Sequence, residues 1–124
     1  MNLDIRYGLP FVIATIKYRG RSIDLANVLL DTGSAGTIFQ VERLMTIDLR
    51  MEPEDMIHRI RGVGGTEFVF SKQIDTLAVG GLLVNGFEIE VGAMDYGFDL
   101  DGIIGLDFLR AVEAKIDLGN LTIS

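Results

Sequence analysis

A small all-β, barrel-like domain with one or two short helices is the fold class that this sequence predicts, and three observations predict it. Short segments rich in Val, Ile, Phe and Thr return at close intervals, glycine-bearing turns separate them, and helical spacing appears only in two brief stretches. The 124 residues suit one domain, 1–124, and 48% hydrophobic content is enough for a single core.

The elements follow in chain order. Tyr7-Gly8-Leu9-Pro10 is an irregular lead-in, because Pro10 offers no ladder donor and holds Leu9 extended. Phe11 to Tyr18 and Ser22 to Asn27 read as a hairpin joined through Arg19-Gly20-Arg21. Val28-Leu29-Leu30 continues as a strand apolar on both faces. Gln40 to Met45 fits a short helix, with Val41, Leu44 and Met45 on one side. Ile57 to Arg61 and Thr66 to Phe70 flank Gly62-Val63-Gly64-Gly65 as a second hairpin with a glycine-rich tip. Gln73 to Val79 is a further strand, and Asn85-Gly86 is expected to turn Leu82-Leu83-Val84 back on Phe87 to Val91. Ile103-Ile104 forms a buried strand running into a short helix from Leu106 to Arg110. Lys115 to Leu118 and Leu121 to Ser124 close the chain as a terminal hairpin.

Composition removes several function classes. With 18 acidic against 11 basic residues the formal charge is −7, and no Lys/Arg cluster appears, so nucleic acid and anionic membranes are not expected partners. There is no cysteine and a single histidine, His58, which leaves no thiol nucleophile and no multi-histidine metal site. A serine triad would have to use His58, and no Gly-x-Ser-x-Gly elbow accompanies it. The acidic runs Glu52-Pro53-Glu54-Asp55 and Asp95 to Asp101 read as solvated turns. The second hints at a calcium loop but lacks the closing Glu and flanking helices, so no metal and no cofactor is expected. The first residues show no basic segment followed by an apolar run, and no stretch approaches membrane-spanning length; the expectation is a cytoplasmic protein.

What remains is carboxylate chemistry at Val28 to Phe39. Asp31 follows the apolar strand directly, at the edge of a low-dielectric core where a charge is costly unless hydrogen-bonded. Thr32, Gly33 and Ser34 supply hydroxyls and a backbone able to fold around it, and the Ser34 hydroxyl is expected to bond an Asp31 oxygen.

Asp31-Thr32-Gly33-Ser34 behind apolar residues, the glycine-rich Gly62 to Gly65 and Gly102-Ile103-Ile104-Gly105-Leu106-Asp107-Phe108-Leu109 resemble, in that order, the retropepsin-type aspartic proteases. The resemblance runs from about Phe11 onward and is nearer to the stand-alone cellular and bacterial members than to the viral ones. It implies a single-lobe closed barrel in which Asp31 is the catalytic acid/base, Thr32 bonds across a dimer axis and Gly33 lets the substrate backbone approach. It further implies that Ser34, Val63, Gly64, Gly65 and Ile103 meet an extended peptide, the glycine-rich tip closing over it as a flap. A paired-carboxylate mechanism needs two acids and this chain offers one such motif, so a homodimer is expected. Two viral features that brace the dimer are absent, their places held by Leu106 and by Ala35-Gly36. A catalytically silent dimerising or peptide-binding member is the alternative reading.

Overall fold

A computed structural model describes residues 1–62, 65–94 and 99–124. Its strands are β1 (Asp4–Arg6), β2 (Leu9–Tyr18), β3 (Arg21–Leu30), β4 (Ile38–Gln40), β5 (Ile57–Gly62), β6 (Gly65–Val79), β7 (Leu82–Gly92), β8 (Gly102–Ile104), β9 (Ile116–Asp117) and β10 (Thr122–Ile123). Two short helices, α1 (Val41–Leu44) and α2 (Leu106–Ala111), complete the order, with a 3₁₀ turn at Met45–Ile47 after α1.

The main sheet runs β1-β2-β3-β8-β4-β7-β6-β5, and β2 also pairs with β6 through Thr15 opposite Ala78. That extra pairing closes β2, β3, β8, β4, β7 and β6 into a ring, so the small closed barrel expected from the sequence is present. Closure also removes most of the exposed sheet edge. Alternation along the strands fills two clusters. The larger holds Ile16, Phe39, Ile104 and Phe108, whereas the smaller holds Phe11, Ile38, Val69, Met94, Leu100 and Ile103. β9 and β10 form the terminal hairpin, which binds the first residues of the same chain: the Leu3 amide donates to the Leu121 carbonyl at 2.8 Å, and the Ile123 amide to Met1 at 2.8 Å.

Four expectations are corrected. Asn85-Gly86 is not a turn: β7 runs unbroken through it, and the reversal comes at Gly80-Gly81, where Val79 faces Leu82. Gly80, with φ +59, takes the left-handed conformation that a tight turn requires. Gly86, at φ +63, lies within β7, with one register on either side. The segments 66–70 and 73–79 are one strand, because burial alternates through Ser71 and Lys72 without a break. The acidic run 52–55 is not simply solvated. Lys72, 5% exposed, places its ammonium 2.7 Å from Glu52 Oε1 and 2.6 Å from Asp55 Oδ2. Nor is Asp101 solvated: it is 3% exposed, accepts the Asn27 amide at 3.0 Å and lies 2.9 Å from Arg43 Nε, which fixes the entry to β8. Asp95 to Phe98 lie outside the described residues.

Candidate active site

β3 and β8 run parallel, with Val28, Leu29 and Leu30 opposite Gly102, Ile103 and Ile104. The pairing extends one step further, the Asp31 amide donating to the Ile104 carbonyl at 2.9 Å, so the carboxylate leaves the barrel from the last ordered position of a ladder. Asp31 is half-buried there. The chain then turns sharply. The Ser34 amide donates to the Asp31 carbonyl at 3.1 Å and the Gly33 amide donates to Asp31 Oδ1 at 2.9 Å, which satisfies one carboxylate oxygen from the backbone. A Cβ on Gly33 would stand 3.2 Å from that oxygen, so any larger residue crowds the carboxylate.

A second set of bonds holds the loop from below. The Leu106 amide donates to the Ser34 carbonyl at 2.7 Å. Thr37, 1% exposed, accepts the Gly105 amide at 3.0 Å and donates its hydroxyl proton to Asp107 Oδ1 at 2.7 Å. Asp107 Oδ1 also accepts the Phe108 amide at 2.8 Å, so it ties the start of α2 to the loop. Gly105 crosses the loop so closely that a Cβ would strike the Gly36 carbonyl and come within 2.8 Å of the Ser34 carbonyl oxygen. Thr37 and Asp107 received no role from the sequence. The available signal was a lone hydroxyl beside Ile38-Phe39 and a carboxylate at a helix start, both common features.

The predicted site residues fall as follows. Asp31, Thr32, Gly33 and Ser34 lie in one loop, with Thr32 and Gly33 exposed. The Ser34 hydroxyl does not bond Asp31: it donates to the Gly36 carbonyl at 2.8 Å, while Asp31 Oδ1 is held by the Gly33 amide. Ile103 is 6% exposed and packed in the smaller cluster, across the ladder from Leu29 and Ile38. Gly65 opens β6 opposite Gly62, at the end of the hairpin formed by β5 and β6. Val63 and Gly64 lie outside the described residues. His58 sits on β5 with Nε2 2.7 Å from Ser71 Oγ.

A closed single-lobe β-barrel that presents one Asp-Thr-Gly loop, braced by a glycine-flanked β8 and α2, defines the acid-protease class of folds. The aspartyl protease family matches residues 14–108, and the chain belongs to that family. No curated protein matches the chain. No helix among the described residues is long and apolar enough to cross a membrane.

Proposed function

We propose that the chain is an aspartic endopeptidase acting as a homodimer, hydrolysing peptide bonds with water activated between Asp31 and the partner's Asp31. The observation that carries the reading is the Asp31 loop. One carboxylate oxygen is held by the Gly33 amide, the other is free of protein donors among the described residues, and Thr32 and Gly33 stand exposed beside it. Two such carboxylates within hydrogen-bonding distance cannot both ionise, so the pair shares one proton. The ionised member takes a proton from water as it attacks, and the protonated one donates to the carbonyl oxygen as charge develops there. The hairpin formed by β5 and β6 closes over an extended peptide as the flap, its glycine backbone offering main-chain hydrogen bonds and excluding water. Activity then follows a bell-shaped pH profile set by the coupled pair.

The test is cleavage of a quenched library of extended peptides from acid to neutral pH. Wild type is expected to cut, and Asp31→Asn, which keeps the loop's shape, to lose a factor of about 10²–10⁴ or more. A dimeric wild type that cuts nothing across that range would instead make the protein a silent member of its family.

A further inference from the structure

Side chains along β6 and β7 divide between two faces. Phe70, Ile74, Ile89 and Val91 enter the larger cluster, while Val69 belongs to the smaller one, and by strand alternation Ser71 and Glu90 share its side. The registers align one row across six strands: Phe11, Leu29, Ile103, Ile38, Glu90, Ser71. Asp31 lies two positions beyond Leu29 and hence on the same face. The row is apolar next to the Asp31 loop and becomes polar at β7.

The polar end is organised. Ser71 Oγ donates to Glu90 Oε2 at 3.2 Å, and His58 Nε2 is 2.7 Å from the same Oγ. A hydroxyl carries one proton. With that proton directed at Glu90, His58 donates from Nε2 to the Ser71 oxygen, so both hydrogen bonds run toward the carboxylate. This is not a nucleophile–base relay, because the acid contacts the hydroxyl and not the imidazole. Glu90 Oε1 has no partner among the described residues, and no Lys or Arg of these lies within ion-pair distance of Glu90. A half-buried carboxylate, aimed through the Ser71 hydroxyl and left without a Lys or Arg partner among the described residues, is a site for a cationic side chain.

We propose that Glu90, oriented by Ser71 and His58, selects a lysine or arginine side chain of the substrate within about four residues of the scissile bond. The inference rests on the protease reading given above. Three strand spacings of about 4.8 Å separate β3 from β7, a span that an extended peptide covers in about four residues at roughly 3.3 Å each. The formal charge of −7 favours approach of such a peptide.

The experiment compares kcat/KM for quenched peptides carrying lysine, norleucine or glutamate at each position up to four from the cut. Wild type is expected to favour lysine over norleucine at one position by about 10-fold or more, the worth of a charge-assisted hydrogen bond. Glu90→Gln should remove most of that ratio and Glu90→Lys should invert it toward glutamate; an internal ratio is insensitive to how much enzyme folds. Ser71→Ala should weaken the preference through KM and Ser71→Thr restore it. Turnover without a basic preference in wild type, or a preference retained in Glu90→Lys, overturns the subsite and leaves the protease reading intact. Calorimetry with an uncleavable reduced-amide peptide pair, lysine against norleucine, separates the two readings. Tighter binding of the lysine peptide by wild type but not by Glu90→Gln, with no cleavage of any library member, supports the subsite and removes the protease. Neither binding nor cleavage overturns both.

Discussion

Thr37 ties the Asp31 loop to Gly105 and to the start of α2. Its buried hydroxyl answers two groups at once, the Gly105 amide, which is buried, and the Asp107 carboxylate, which is partly buried. Thr37→Val, close in shape, would leave the Gly105 donor unsatisfied, and is expected to lower stability by about 1–3 kcal/mol in urea unfolding. Thr37→Ser, which keeps the oxygen, should cost clearly less. Ser34 supports a different forecast. Because its hydroxyl serves the Gly36 carbonyl and not Asp31, Ser34→Ala should leave the acid limb of the pH–rate profile where it is and cost about 0.5–1.5 kcal/mol of stability. At this scale the sequence made Asp31, Thr32 and Gly33 readable, because a charge following Val28-Leu29-Leu30 demands compensation. It did not reveal that a backbone amide, not Ser34, provides it: whether the Ser34 hydroxyl takes an Asp31 oxygen or a nearby carbonyl is decided by the turn geometry.

β6 pairs with three other strands, β5, β7 and β2. Its Lys72 fastens the 52–55 turn ahead of β5, and so anchors the base of the hairpin formed by β5 and β6. Hydrogen bonds from Lys72 and then Arg19 hold the Glu52 carboxyl at about 2, far below its usual value. For Asp55, burial pushes upward, but the Lys72 hydrogen bond, the Glu52 backbone amide and the Lys72 charge together outweigh it, and its pKa too is lowered. Lys72 itself is raised, the two carboxylates outweighing its burial. The sign follows from linkage. A carboxyl depressed in the folded state contributes stability above its unfolded pKa and loses it as pH falls through the folded value. The clamp therefore holds down to about pH 4.5 and is lost toward about pH 2, leaving it engaged in moderate acid. Lys72→Met should destabilise the protein at neutral pH by about 2 kcal/mol, since it strands a nearly buried carboxylate. The gap from wild type should close as pH is lowered from about 4.5 to about 2 in denaturant titrations. A gap that stayed constant would mean that Lys72 acts through packing alone. The strands themselves were legible from alternation. The Asn85-Gly86 turn was misread because that dipeptide is a local preference, whereas Gly80-Gly81 wins on register, setting Val79 against Leu82 and Leu77 against Val84.

At the scale of the molecule, ring closure was foreseeable as a class but not in its pairings, since the contact of β2 with β6 joins residues far apart in sequence. The same limit applies to assembly. The terminal hairpin pairs with residues 1–3 of its own chain, and beside Asp31 the residues Thr32, Gly33, Ala35 and Leu106 are exposed. If catalysis needs two copies of Asp31, inactive chains must poison active ones. Mixing wild type with Asp31→Asn under conditions where subunits exchange forms mixed dimers that carry one competent carboxylate. Total activity should then fall with the square of the wild-type fraction, so that an equal mixture retains about a quarter of the activity. A self-sufficient single chain would instead retain about half, in direct proportion to its share. Dilution gives an independent reading of the same equilibrium: specific activity of wild type should decline once the protein concentration drops below the dimer dissociation constant, and should recover on reconcentration. Linear dependence in the mixing series together with constant specific activity on dilution would mean that one Asp31 suffices, and the shared-proton mechanism would have no second acid to draw on.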